Sequence, residues 1–134
     1  MQTILRILER AGGYRPTLYL KIENPPFMAL VIEATPEPGP CGGPSISVAH
    51  YGEQNGDLMR DPEMCFELQE QNPSSFYFRN DYLGIEQWSR FVRDGQHRVN
   101  AELYRQHEEF ARMWDENLRA QGFLEVFTDK SIRG

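Results

Sequence analysis

The stretch HYGEQNGDLMRDPEM, from His50 to Met64, places one imidazole among several carboxylates. His50, Asp61 and Glu63 offer one imidazole and two carboxylates, the ligand types of a facial metal triad. They could therefore serve a small metal-dependent hydrolase or nuclease. However, the chain lacks an HExxH motif, an EF-hand loop and a spaced Cys/His pattern. The metal enzyme is an alternative function, and we expect neither a metal nor another cofactor.

The same histidine could move protons, because an imidazole titrates near neutral pH. Asp61 would then orient His50 for general acid-base catalysis. The chain shows no nucleophile motif such as GxSxG. A histidine that sits at the end of a sheet and is hydrogen-bonded to an acid explains the pattern without any reaction. We therefore predict no catalytic residue, and we expect a protein that is not an enzyme.

Other polar residues favour a binding surface. One of them is the segment FRNDYLGIEQW, residues 78–88, which contains Arg79, Tyr82 and Trp88. These side chains could hold a planar ligand by aromatic stacking and by two-pronged hydrogen bonds from the guanidinium. A protein that sequesters a nucleotide signal is the corresponding alternative function. The predicted binding residues of both segments are Glu53, Asp57, Arg60, Arg79, Tyr82 and Trp88.

The charge balance limits the class of partner. With 14 Lys and Arg against 20 Asp and Glu, the formal net charge is −6. General nucleic-acid binding depends on cations that neutralise phosphates, so this balance argues against it. Lys21 and Lys130 are the lysines, and the other cations are arginines, which form two-pronged contacts with carboxylates or phosphates.

Nothing in the sequence predicts a membrane segment or a secretory signal. The longest apolar run lies around residues 28–32 and is far shorter than the ~20 residues of a membrane-spanning helix. Arg6 and Glu9 interrupt the apolar pattern of the N-terminal region, unlike a signal peptide. Cys41 and Cys65 lack CxxC spacing, so we expect free thiols. These features predict a cytoplasmic protein.

The elements that must position these residues begin with a helix. Apolar residues at helical spacing predict that it starts after Thr3, its N-cap, and ends at Gly12-Gly13. Alternating apolar residues predict strands over 17–23 and 27–34. Four prolines and three glycines make Thr35–Pro44 a loop, which we expect to be mobile.

A long hairpin, Ser45–Leu68, is predicted around Asn55-Gly56, because both central positions of a type I′ turn need positive φ. Regular pairing would place its apolar residues on opposite faces. One extra residue at Asp61-Pro62 corrects this, since proline cannot donate to a regular ladder. The predicted bulge brings two apolar pairs onto one face, Val48 with Met64 and Ile46 with Phe66.

Two further strands are predicted over residues 75–80 and 85–92, and a long helix over Asn100–Gln121. The helix has an apolar stripe that includes His107 and an opposite face of alternating glutamates and arginines. His97 is placed in a turn before this helix, and both histidines are read as structural. The residues FLEVF after Gly122 are predicted to form a short edge strand.

Together these elements predict one α+β domain over residues 1–134. Its curved antiparallel sheet has five to six strands, a meander with the long bulged hairpin, flanked by an N-terminal helix and a long C-terminal helix.

The strings SVAHY, EQNGDLMRDPEM and NDYLGIEQ, followed by a helix with ARMWDENLRAQGF, resemble a small uncharacterised domain family. The family occurs in conjugative elements, plasmids and phages, sometimes appended to antirestriction proteins. The resemblance covers roughly residues 45–123 and carries no established chemistry. It implies a mobile-element protein that acts by binding.

The leading function is therefore a non-enzymatic protein-binding domain, with counter-defence inhibition of the anti-restriction or anti-CRISPR type as its implied context. The expected partner is a host or element-encoded protein. A homodimer through the exposed sheet edges, or through the aromatic-rich strand at Phe76–Phe78, is compatible with the sequence.

Overall fold

The computed structural model of the protein describes residues 1–69 and 72–134. A six-stranded antiparallel sheet dominates it, and each strand pairs with the next along the chain. Helix α1 (Gln2–Arg10) precedes the sheet and helix α2 (Ala101–Ala120) follows it, which confirms the predicted α+β fold. The strands are β1 (Tyr19–Asn24), β2 (Phe27–Ala34), β3 (Ser45–Gln54), β4 (Asp57–Gln69), β5 (Asn72–Asn80) and β6 (Ile85–Trp88).

The hydrophobic core lies between helices α1 and α2 and one side of the sheet, called the helix face below. Alternate strand residues are apolar and buried there, as expected for a sheet with one covered side. The opposite side of the sheet is called the open face. The core residues of strands β1 to β4 are Leu20, Ile22, Leu30, Ile32, Ile46, Val48, Met64 and Phe66. Those of helices α1 and α2 include Ile4, Ile7, Leu8, Ala111, Trp114 and Leu118.

The long hairpin has the predicted turn and register. Asn55 and Gly56 have φ of 54° and 85°, as a type I′ turn requires. The pairing shifts between Ala49 and Tyr51, so that His50 alone faces the two residues Asp61-Pro62. The predicted bulge is therefore confirmed, as are its two apolar pairs, Val48 with Met64 and Ile46 with Phe66.

Helix α2 begins as predicted, because the Asn100 side chain accepts a hydrogen bond from the Leu103 amide at 3.1 Å. The predicted N-cap of α1 is wrong. Thr3 lies inside that helix, and its amide donates instead to Asp115 Oδ1 of α2 at 3.1 Å. A carboxylate from a distant element thus caps the helix. Within the described ranges, no helix is long and apolar enough to span a bilayer.

The prediction of one strand over residues 85–92 is wrong. The chain leaves the main sheet at Ser89 and forms a separate hairpin of β7 (Arg90–Arg93) and β8 (Gln96–Val99). Asp94 and Gly95 have φ of 53° and 74°, which makes them a second type I′ turn of the kind that an Asp-Gly pair favours. His97 consequently lies in β8 and not in a turn.

The predicted edge strand after Gly122 is also wrong. Residues Phe123–Val126 form a short helix, α3, because Gly122 at φ 83° redirects the chain and lets Phe123 enter the core, where it is fully buried. The edge of β1 is instead bridged by Ile132, which pairs with Leu20. A 3-10 turn, Asp129–Ser131, precedes this contact.

The Pro/Gly loop, expected to be mobile, is tied to the end of the sheet. The Glu67 carboxylate accepts hydrogen bonds from the amides of Cys41 at 3.0 Å and Gly43 at 2.8 Å. On its other side it forms an ion pair with Arg90 at 3.2 Å. Both charged side chains are buried. The loop therefore closes one end of the open face.

Candidate functional site on the open face of the sheet

The open face carries two rows of side chains that cross all six strands. Directly paired residues of neighbouring strands point to the same side of a sheet, so the register defines each row. The first row is Tyr19, Glu33, Ser47, Cys65, Tyr77 and Trp88, and the second is Lys21, Val31, Ala49, Glu63, Arg79 and Glu86. Polar and aromatic groups from widely separated segments thus meet on one surface.

Small side chains form the middle of this surface and larger ones surround it. Ser47, Ala49 and Cys65 are buried although neither α1 nor α2 packs over them. Beside them lies a groove of about 460 Å³. The groove is lined by Tyr19, Lys21, Ala29, Val31, Glu33, Tyr51, Leu58 and Arg60.

Two carboxylates flank Ser47. Its hydroxyl donates to Glu63 Oε2 at 2.5 Å, while Glu33 is its neighbour on β2. Burial and, secondly, the negative charge of Glu63 raise the pKa of Glu33, which Arg60 only partly opposes. A second anion close by disfavours ionisation in this way.

The two arginines of the open face are held by acids of the same protein. Arg60 Nε lies 3.1 Å from Glu63 Oε1, although its N–H does not point at that oxygen and makes no hydrogen bond within the described residues. Arg60 Nη1 lies 3.6 Å from Asp81 Oδ2. Arg79 contacts Asp81 Oδ1 at 2.7 Å and Glu86 Oε2 at 3.5 Å. The network keeps both guanidinium groups in place.

The same network stabilises the ionised form of Asp81. The pKa of Asp81 is lowered chiefly by the hydrogen bond from the backbone amide of Arg60, at 2.8 Å, and further by Arg79. Asp81 therefore joins the β5–β6 turn to the β3–β4 hairpin.

The pKa values of neighbouring acidic groups are raised instead of lowered. Burial is the first cause that raises the pKa of Cys65 and of Tyr51, and the charge of Glu63 adds to both. Burial and a 2.5 Å hydrogen bond to Glu86 likewise raise the pKa of Tyr77. A thiol whose pKa is raised is a poor nucleophile at neutral pH, so Cys65 is inert in this environment.

His50 lies on the helix face and is separated from this surface. Its ring packs against Trp114 and Phe123, with centroid distances of 5.5 and 5.7 Å, and its Nδ1 lies 3.1 Å from the Ala29 carbonyl. Burial lowers its pKa. Asp61, across the bulge, accepts instead from Asn80 Nδ2 at 3.1 Å.

The suggested triad is consequently not assembled. Glu63 pairs with Ala49 and points to the open face, whereas His50 points into the core. In the part of the chain that the structure describes, no group of three or more His, Cys, Asp or Glu residues is placed to hold a metal ion.

The six predicted binding residues fall into three places. Arg60, Arg79 and Trp88 share the open face, where Trp88 packs on Tyr77 at a centroid distance of 5.1 Å. Glu53 and Asp57 are exposed at the hairpin tip. Tyr82 lies over Gly52, since a Cβ there would sit 2.5 Å from its hydroxyl. That position belongs to the helix side of the hairpin tip.

Sequence reasoning missed Glu33, Ser47 and Tyr51 as site residues. The signal in the sequence is the alternation along each strand. Residues that lie between apolar, core-facing positions must point to the other side of the sheet. That signal identifies a solvated face but cannot show which strands are neighbours. Only the strand order brings Glu33 next to Ser47 and Glu63.

Comparison with known proteins identifies a family but no activity. No curated protein matches the chain, and no solved structure matches it either. The sequence pattern of one family, described as "Domain of unknown function (DUF6908)", matches residues 2–124. Because this match spans nearly the whole chain, the protein belongs to that uncharacterised domain family.

Proposed function

We propose that the protein is a non-enzymatic protein-binding domain that docks a partner through the open face of its sheet. The observation that carries this proposal is the pair of side-chain rows, which gathers arginines, carboxylates and aromatic residues on one side. Trp88 at 50% exposure and Leu58 at 70% exposure add accessible apolar area to that surface. Buried aromatic and arginine anchors are the residues that usually dominate binding energy at interfaces.

The state of the reactive groups supports binding over catalysis. Burial raises the pKa of the Cys65 thiol, and aromatic rings on the helix face enclose the His50 imidazole. Arg60 and Arg79 are engaged by carboxylates. A metal-dependent hydrolase would need His50, Asp61 and Glu63 at one point, and the sheet separates His50 from Glu63.

A nucleotide-sequestering protein is also less well supported. That function needs Arg79, Tyr82 and Trp88 around one planar ligand, but Tyr82 covers Gly52 at the hairpin tip. The Arg79 guanidinium is held by Asp81 and Glu86, and a phosphate would have to displace both. A protein partner can instead use the surface as it stands.

The biological context remains part of the proposal. The resemblance of SVAHY, EQNGDLMRDPEM and NDYLGIEQ to mobile-element proteins supports an origin in a phage or conjugative element. We propose a cytoplasmic counter-defence inhibitor of the anti-restriction or anti-CRISPR type. The charge of −6 is suited to a basic partner, such as a protein that itself handles nucleic acid.

Affinity capture from cells of the native host tests the proposal with two matched variants. Trp88 on the open face and Met113 on α2 are equally accessible, at 50% and 51%. We expect the unaltered chain and Met113→Ala to capture the same stoichiometric protein. Trp88→Ala should weaken that complex at least ~10-fold, because truncating an aromatic anchor commonly costs ~2 kcal/mol or more.

Circular dichroism and thermal unfolding would establish that both variants are folded before affinities are compared. Recovery of no stoichiometric protein would remove the proposal. Loss of the complex with Met113→Ala and its retention with Trp88→Ala would move the docking surface to α2.

A further inference from the structure

The groove on the open face has the form of a site for one extended side chain. Its lining includes two aliphatic residues of β2, Ala29 and Val31, which we take as its floor. Tyr51 and Leu58 border it on the hairpin side and Tyr19 on the β1 side. At about 460 Å³ it falls within the ~300–1,000 Å³ range of ligand pockets. Aliphatic methylenes would be buried against such a floor.

The charges around the groove do not cancel. Lys21 lies 3.7 Å from Glu23, and Arg60 contacts Glu63 and Asp81 at 3.1 and 3.6 Å. The charged residues that line the groove are Lys21, Arg60 and Glu33. Counting them with the acids that the two cations contact, and with Arg79 and Glu86 of the same ion-pair network, gives three cations and five anions, a net charge of −2. Across residues 1–69 and 72–134, the Glu33 carboxylate has neither an ion-pair partner within 4.0 Å nor a hydrogen bond.

The titration behaviour of neighbouring groups agrees with a negative potential. The pKa values of Glu33, Tyr51 and Cys65 are all raised, with burial as the first cause and the charge of Glu63 as the next. Each of these groups holds its proton more tightly than it would in water. Burial itself attracts no cation, but the Glu63 contribution to these shifts is a negative potential, and that contribution also attracts an external cation.

The shape and the charge of the groove together favour one chemical class of ligand. A half-buried carboxylate attracts a cation, and the faces of Tyr19 and Tyr51 add cation–π attraction where a cation lies over them. Guanidinium fits better than ammonium, because its planar fork matches a carboxylate and it is more weakly hydrated. Lys21 and Arg60 already have acidic partners, so an anionic ligand would face the net negative charge.

We infer that the groove receives an arginine side chain of the partner protein, with the guanidinium on Glu33 and the methylenes over Ala29 and Val31. This inference rests on the proposed function and specifies its point of contact. The partner therefore presents an accessible arginine in an extended or turn segment.

Pentapeptides that differ at one position test this site by NMR. One contains arginine, the second contains citrulline, which has the same shape without the charge, and the third contains glutamate. We expect the arginine peptide to shift the amide signals of Ala29, Val31 and Glu33 and to bind ~5- to 10-fold more tightly than the citrulline peptide, as one partly buried ion pair of ~1 kcal/mol implies. The glutamate peptide should leave these signals unchanged.

A pair of isosteric variants makes the test specific. Glu33→Gln should abolish the preference for arginine over citrulline. Glu37→Gln, in the exposed part of the Pro/Gly loop, should retain it. Equal binding of arginine and citrulline, retention of the preference in Glu33→Gln, or shifts induced by the glutamate peptide would each overturn the inference.

The two proposals can fail separately. If Trp88→Ala weakens the complex with the captured protein but Glu33→Gln does not, the open face is the docking surface and the arginine site is refuted. If neither variant weakens that complex, the docking surface itself is refuted.

Discussion

A single buried carboxylate, Glu67, connects three elements at the closed end of the open face. It accepts hydrogen bonds from backbone amides of the Pro/Gly loop, and it forms an ion pair with Arg90 of β7. Arg90 Nε also donates to the Ser75 carbonyl of β5 at 3.1 Å. The two charges of this cluster need each other, since removing one partner of a buried ion pair leaves the other charge without compensation.

Substitution Glu67→Gln should therefore be strongly destabilising. Glutamine keeps the volume and can still accept the loop amides, but the buried Arg90 guanidinium loses its counter-charge. We expect the free energy of unfolding to fall by about 3 kcal/mol, the order of magnitude seen when a buried pair is broken. Urea unfolding monitored by circular dichroism measures it.

The exposed Glu37 of the same loop provides the control, and Glu37→Gln should change that free energy by less than ~0.5 kcal/mol. If Glu67→Gln were equally harmless, the ion pair with Arg90 would have no role in holding the loop.

At the scale of elements, the β3–β4 hairpin has the largest influence on the site. Its turn sets the register, and its bulge shifts that register by one residue beside His50. The shift puts Met64 and Phe66 on the helix face and leaves Glu63 and Cys65 on the open face. An uninterrupted register would exchange these faces, because side chains alternate along a strand.

The turn should be sensitive to a side chain at Gly56. An added Cβ at φ 85° is strained whatever the space around it, and we expect Gly56→Ala to lower the free energy of unfolding by about 1–2 kcal/mol. Asn55→Gly, at the neighbouring positive-φ position, should be tolerated within ~0.5 kcal/mol.

Chemical denaturation of both variants measures these changes. A neutral Gly56→Ala would show that the hairpin tip can adopt another turn and that the register is set elsewhere, at the bulge.

At the scale of the whole molecule, burial favours the neutral forms of titratable groups on both faces of the sheet. On the helix face, burial lowers the pKa of His50 and of His107 and thus favours their neutral forms. On the open face, burial and mutual repulsion raise the pKa of Glu33. Stability should therefore depend on pH through both faces, in different ranges.

The sign of the histidine contribution follows from proton uptake. The unfolded chain binds a proton near pH 6.5, whereas the folded His50 binds it at lower pH. Below neutral pH the unfolded state takes up more protons, so the free energy of unfolding decreases as the pH falls through 6.5. The contribution is intact above that value and is lost progressively below it.

Denaturation curves between pH 8 and pH 5 test this expectation in the unaltered protein and in His50→Phe, which preserves an aromatic ring between Trp114 and Phe123. The variant should lose less stability on acidification, with the remaining dependence due in part to His107. Parallel pH profiles would contradict the assignment to His50.

The sequence by itself determined most of the element types, most of their bounds and the hairpin register. These features follow from the alternation of apolar residues, the Asn55-Gly56 turn and the Asn100 cap. Each of these rules depends only on residues that are close in the sequence. Local rules failed where a distant group intervened. Asp115 caps α1 across the core, and the burial of Phe123 makes a helix of the segment expected to form an edge strand.

Only the tertiary structure decided the composition of the candidate site. Glu33, Ser47, Glu63 and Arg79 come from four strands, and they become neighbours because those strands pair in chain order. The same pairing moved His50 away from Glu63, although both belong to one predicted motif. Their separation has a simple physical reason: successive residues of a strand face opposite sides of the sheet, and helices α1 and α2 cover just one of those sides.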